Sequence, residues 1–135
     1  MRALMRVTMV LAGIVLVALI GAYAAYWGSR GVDETRWTRT ITDGDPANAP
    51  RIAMANGCGG CHVIAGVPGA RGLVGPPLTG LAGRVYIAGE INNTADNLIH
   101  WIRDARTMKP HTAMPSTFIS EQDARDLAAY LYSLR

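Results

Sequence analysis

The sequence predicts an all-α protein, with one apolar helix at the N-terminus and a small domain of three to four short helices behind it. Three observations carry that expectation. Eighteen of the 22 residues from Val7 to Gly28 are apolar. Two later stretches repeat their apolar residues at helical spacing, and glycine- and proline-rich sequence lies between helices where a sheet protein would alternate apolar and polar residues. The 135 residues hold one small domain beside the apolar helix, which excludes a multi-domain enzyme, and a 50% hydrophobic content excludes disorder.

Residues 1–28 read as a membrane anchor. Arg2 and Arg6 precede the apolar run, and Tyr23, Tyr26 and Trp27 stand where an aromatic belt would meet the headgroups. At 1.5 Å per residue the run reaches about 33 Å, enough for a hydrocarbon core of ~30 Å. The basic start and Ala22-Tyr23-Ala24 also suit a cleaved secretory signal. Continuation of the apolar run to Trp27 favours an uncleaved helix, and both readings export the rest. Residues 29–44 have no apolar period and read as a flexible tether, followed by a domain over 45–135.

Charge separates along the same boundary. The chain carries 13 Lys and Arg against 10 Asp and Glu, but from residue 44 onward eight positives meet seven negatives. The domain is nearly neutral, so no basic face for nucleic acid is expected.

Within the domain, Asp45 caps a helix that opens on Pro46 and runs over Ala47 to Asn56, ended by Gly57. Residues 62–93 read as an ordered loop without strands. Asn93-Thr94 caps a helix from Ala95 to about Thr107, whose apolar face is Leu98, Ile99, Trp101, Ile102 and Ala105. Ser120 starts a last helix to Leu134, with Ala124, Leu127, Ala128 and Leu131 on one face. So few short helices bury little apolar surface, and a domain of this size needs a staple.

The only two cysteines, Cys58 and Cys61, stand immediately before His62 in Cys58-Gly59-Gly60-Cys61-His62. A thioredoxin-like dithiol needs a buried strand ahead of it, and none is legible. A structural zinc site needs four ligands, and His100 and His111 are not at finger spacing. An exported disulfide between the two is possible by spacing. Haem attachment fits best: two thiols form thioethers to the vinyl groups, and the next residue presents an imidazole to the iron. One covalent haem c is therefore expected, with Cys58, Cys61 and His62 holding it. Haem c is attached outside the cytoplasm, which would put the N-terminus inside and the domain outside.

An electron carrier keeps its iron six-coordinate, so a second strong ligand is expected downstream. Met108, His111, Met114 and His100 are candidates. Met114 lies in a loop punctuated by Pro110 and Pro115, which cannot be helical and can bring a thioether to the open face.

With these residues in view, residues 45–135 resemble a class I cytochrome c. The resemblance rests on Cys58 to His62, on Gly75-Pro76-Pro77-Leu78 with Gly80-Leu81-Ala82-Gly83-Arg84, and on Asp96 to Ile102. Pro110, Thr112, Met114 and the run from Arg125 to Leu131 complete it. It implies axial ligands at His62 and Met114, and a Pro76 carbonyl accepting a hydrogen bond from the second ring nitrogen of His62. It further implies Arg84 near the haem propionates, Thr112 as a hydroxyl in the ligand loop, and Trp101 beside the methionine sulfur. The stretch from Asn92 to Met114 is similar to the cytochrome c domain fused to subunit II of some haem-copper oxidases, and to membrane-anchored bacterial cytochromes c. Two places depart from the pattern. Pro50 and Met54 stand where the first helix of the family has a glycine and an aromatic, and Asn93 stands where mitochondrial cytochromes have a tryptophan that donates to a propionate.

The function expected is one-electron transfer by a membrane-tethered carrier at the bacterial cytoplasmic membrane, with its haem domain on the periplasmic side. Its expected partners are a quinol-oxidising complex or soluble donor and a terminal oxidase. A haem subunit of a periplasmic dehydrogenase or reductase shares this chemistry. A haem peroxidase or gas sensor, in which Met114 dissociates, is a rival of another class, and rapid carbon monoxide binding would mark it. No acid-base or nucleophile constellation is legible, so the chain is read as a carrier and not as an enzyme.

Overall fold

The computed structural model describes residues 1–134, and for residues 3, 4 and 31–33 the backbone alone. Arg135, the last residue of the expected domain, lies outside the described residues. The chain divides into two compact units, Met1–Glu34 and Thr35–Arg135.

The first unit is the N-terminal part of helix α1 (Arg2–Thr42). Its large apolar side chains between Val7 and Trp27 are exposed, and the helix is long and apolar enough to cross a membrane. A helix that is apolar on every face finds its solvent in lipid. Near the end of the apolar run, the Arg30 guanidinium lies 4.5 Å from the Tyr26 ring centroid and 5.9 Å from that of Trp27, so a cation sits on the aromatic cluster.

Helix α1 does not stop at residue 28. It continues to Thr42, and residues 35–42 belong to the second unit, which corrects the expectation of a flexible tether over 29–44. Thr38 and Thr42 are fully buried. Their hydroxyls donate to carbonyls one turn back, Thr38 to Thr35 at 3.1 Å and Thr42 to Thr38 at 2.7 Å, so polar residues serve as core. The Trp37 ring lies 6.1 Å from that of Tyr132. The end of α1 is capped from outside: Arg125 Nη1 donates to the Thr42 carbonyl at 3.0 Å, and Gln122 Nε2 to that of Asp43 at 3.2 Å. Gly44 then passes so close to the Arg125 carbonyl that any Cβ would collide with it.

The remaining elements are α2 (Ala49–Ala55), β1 (Tyr86–Ile87), β2 (Ile91–Asn92), α3 (Ala95–Met108) and α4 (Glu121–Ser133). The expected helix over 47–56 is instead a 3-10 turn, Pro46–Asn48, leading into α2. Pro50 has no N–H to return to Pro46, and the Ala49 N–H bonds there instead, which tightens this turn. Helices α2 and α3 both pack on α4. Ala49, Ala53, Ala124 and Ala128 are buried where α2 meets α4, whereas Met54 is exposed.

Asp126 on α4 fastens the start of the domain. Its carboxylate accepts the Asp45 N–H at 2.7 Å, Asn48 Nδ2 at 2.8 Å and Gln122 Nε2 at 3.0 Å. Burial raises its pKa, but these hydrogen bonds outweigh that penalty and hold the carboxyl below its ordinary range.

The stretch 62–93 is not strandless, as expected, but contains a minimal hairpin in which β1 pairs antiparallel with β2. Ala88 and Gly89 both have positive φ, 51° and 85°, the backbone a type I′ turn needs. Strands of two residues are too short to leave an alternating pattern in a sequence.

Candidate functional site

Helix α2 gives way at Gly57 to a 3-10 turn over Cys58–Gly60. The N–H groups of Cys61 and His62 both return to the Cys58 carbonyl, at 3.2 and 3.0 Å. This curl sets Cys58, Cys61 and His62 on the wall of a cavity of about 480 Å³, within the ~300–1,000 Å³ typical of ligand sites. Residues 72–78 zip onto the curl through Gly72 N–H to Gly59 O at 3.0 Å, Gly75 N–H to Cys61 O at 2.8 Å and Leu78 N–H to Val63 O at 2.9 Å.

The zip brings Gly75 against the His62 ring, where a Cβ would overlap the imidazole. His62 Nδ1 then lies 2.8 Å from the Pro76 carbonyl oxygen. A carbonyl only accepts, so Nδ1 is the donor here and Nε2 is the ring nitrogen left to act as a ligand. Burial pushes the Cys58 thiol up, and Cys58 and Cys61 are not joined to each other as a disulfide.

All eight residues singled out from the sequence line this cavity: Cys58, Cys61, His62, Pro76, Arg84, Trp101, Thr112 and Met114. Trp101 reaches it from α3 and is buried. Met114 reaches it from the loop after α3, its N–H donating to Thr112 Oγ1 at 3.3 Å. Arg84 donates to the carbonyls of Pro77 and Thr79, which ties it to the loop that carries Pro76. Ile64, Leu78, Leu81, Leu98, Ile102, Leu127 and Leu131 supply apolar wall.

The other ligand candidates are outside the described lining. Met108 packs half-buried against the core at the end of α3. His100 is exposed, with a ring nitrogen 3.1 Å from Thr107 Oγ1, and His111 is exposed.

Two further residues shape the site: Lys109, which sequence reasoning passed over, and Asn93, which it noted as a departure from the family without giving it a role. Lys109 lines the cavity while its Nζ holds the Ala88 carbonyl at 3.1 Å and Glu90 at 3.2 Å. No pattern in the sequence distinguishes it. Asn93 donates from Nδ2 to the carbonyls of Leu81 and Arg84, each at 2.8 Å, and accepts from the Tyr132 hydroxyl at 2.9 Å. It thereby fastens the Arg84 loop to α4, and burial pushes the Tyr132 phenol up to about 12.

Two thiols, an imidazole nitrogen and a thioether sulfur on one apolar cavity are the donor set a haem c requires, so the residues present fit that group. The cytochrome c family model matches residues 46–135. The chain is similar to cytochrome c oxidase subunit 2 of Alkalihalophilus pseudofirmus, 41% identical over 86 residues, which cover 63% of this chain and 24% of the relative. It is also similar to cytochrome c oxidase subunit 2 of Bacillus sp. (strain PS3), 31% identical over 96 residues, 67% of this chain and 27% of the relative. The match thus spans about a quarter of the length of these curated relatives. No solved structure matches the chain.

Proposed function

Because the chain belongs to the cytochrome c family, we propose that it is a membrane-tethered mono-haem carrier that passes electrons from a respiratory donor to a terminal oxidase, or works inside such a complex. Haem c binding and an electron-carrier role come with the family, and the oxidase subunit 2 relatives support haem-based electron transfer.

The observation that carries it is the convergence of Cys58, Cys61, His62 and Met114 on one cavity. Haem bound there supplies one-electron chemistry, exchanging an electron at iron without making or breaking a bond. Cys58 and Cys61 would hold the group covalently through thioethers. His62 Nε2 and the Met114 sulfur would hold the iron between them and leave no place on it for a substrate, and a Met/His pair favours a high potential. Pro76 fixes the imidazole through Nδ1. Arg84 offers positive charge to the propionates, and Trp101 and Thr112 shape the surroundings of Met114. The apolar walls keep water out. Residues 1–28 anchor the chain, with the haem domain, which takes in residues 35–44 as well as 45–135, on the periplasmic side of a bacterial cytoplasmic membrane, and anchoring raises the effective concentration of carrier near its partners.

The test is production of the full chain in a host that attaches haem c, isolation of its membranes, and solubilisation in mild detergent. Low-spin haem c in the membrane fraction, and prompt reoxidation of the reduced protein by a co-purified terminal oxidase, are expected. A reduced protein that binds carbon monoxide rapidly at neutral pH and passes no electrons to an oxidase would establish the gas-binding or peroxidase role instead.

A further inference from the structure

Helix α3 is broken inside its length: Asp104 has φ −146° and ψ 73°, far from helical values. The segment that follows Met114 fills the break. The Ile102 carbonyl accepts the Thr117 hydroxyl at 2.7 Å, and the Arg103 carbonyl accepts the N–H groups of Thr117 at 3.0 Å and Phe118 at 2.9 Å. Arg103 Nε donates to the Ile119 carbonyl at 3.3 Å. The Asp104 carboxylate accepts the Ser116 hydroxyl. Backbone strain accompanies this seating, since Phe118 holds φ 52° although it is not glycine and its side chain is 77% exposed.

The other end of the same loop is also tied to α3. Lys109 N–H bonds to the Ala105 carbonyl at 2.9 Å, and Thr112 N–H to that of Lys109 at 3.0 Å. Met114 therefore hangs between two fastenings on one helix, the later of which exists only because that helix is broken.

We propose that the break at Asp104 is a notch that holds the Met114 loop closed over the cavity, with Asp104 acting through Ser116 as a positioning residue for the thioether. This rests on Met114 being the axial ligand. Release of residues 116–119 from the notch lets Met114 swing away from the cavity and exposes the face it covers to small ligands. The notch thus keeps the protein a carrier and keeps it from becoming a ligand-binding haem protein.

The test uses the full-length holoprotein in its oxidised form, with two readouts: the charge-transfer band between thioether sulfur and ferric iron, and the rate of imidazole binding. Asp104→Ala and Ser116→Ala should each weaken the band and speed imidazole binding about tenfold, the size of one hydrogen bond to a charged group. The double variant should be no faster than either single one, because the two residues share one bond. Asp104→Asn, whose amide oxygen still accepts from Ser116 but without the charge, should fall between wild type and Asp104→Ala. If Asp104→Ala and Ser116→Ala only lower the melting temperature and leave band and rate unchanged, while Met114→Ala abolishes the band, the notch is overturned and the ligand stands. If Met114→Ala keeps the band, the ligand assignment is wrong and the notch falls with it.

Discussion

The Nδ1 nitrogen of His62 lies 2.8 Å from the Pro76 carbonyl oxygen, with Gly75 pressed against the same ring. One short turn of chain therefore sets both the tautomer of the imidazole and its position. Orientation of this kind normally accounts for 10- to 100-fold in the strength of a metal site.

Gly75→Ala follows directly from that contact. Its Cβ must displace the ring, so urea unfolding of the holoprotein should find a loss of about 1–3 kcal/mol, with an altered low-spin spectrum. An unchanged spectrum would mean that the ring has room to yield.

Asp126→Ala removes the acceptor of three hydrogen bonds, two that join α4 to Asp45 and Asn48 at the start of the domain and one from Gln122 on α4 itself. A cost of about 2–3 kcal/mol is expected for stranding those donors. The folded carboxyl titrates below its ordinary range, so its stabilisation is complete above the unfolded pKa of about 3.9 and disappears as pH falls through the lower folded value. Asp126→Asn should flatten that acid limb of the stability curve relative to wild type.

Tyr132→Phe tests the opposite limb. Its phenol is pushed up to about 12 by burial and donates to Asn93. Protonated tyrosine stabilises the fold below the unfolded value of about 10, and that contribution is lost as pH rises through about 12. Removing the hydroxyl should cost about 1 kcal/mol at neutral pH, and the slowest tyrosine in a spectrophotometric titration should vanish.

Removal of the cofactor is the severest change. With Cys58→Ser and Cys61→Ser together the thioethers cannot form, and once unattached haem is extracted a cavity of about 480 Å³ is left unfilled, in a protein whose size leaves little other core to hold it. Circular dichroism should show reduced helix and a broad thermal transition. A cooperative apoprotein of full helicity would contradict this.

Much of the fold was legible. Thr94 and Ser120 are caps in the structure as their positions suggested, accepting from Asn97 N–H at 3.2 Å and Asp123 N–H at 3.0 Å, because capping is a local matter. The cysteines and His62 were legible because five consecutive residues hold them. Three features were hidden for a common reason, namely that each depends on partners distant in sequence. The end of α1 shows no apolar stripe, since Thr38 and Thr42 hide their hydroxyls against their own helix. The break in α3 leaves the helical period of its apolar residues intact and is held by Ser116 and Thr117. Asp126 and Asn93 look like surface residues until the chains they join are in place.

Because residues 35–42 are built into the folded unit, the useful boundary for a water-soluble fragment is not where the capping signal at Asp45 puts it. A fragment begun at residue 45 strips Trp37 from the Tyr132 ring and removes the carbonyls that Arg125 and Gln122 hold. One begun at residue 35 keeps all of these and leaves out the exposed apolar run, so the longer fragment should melt several degrees above the shorter.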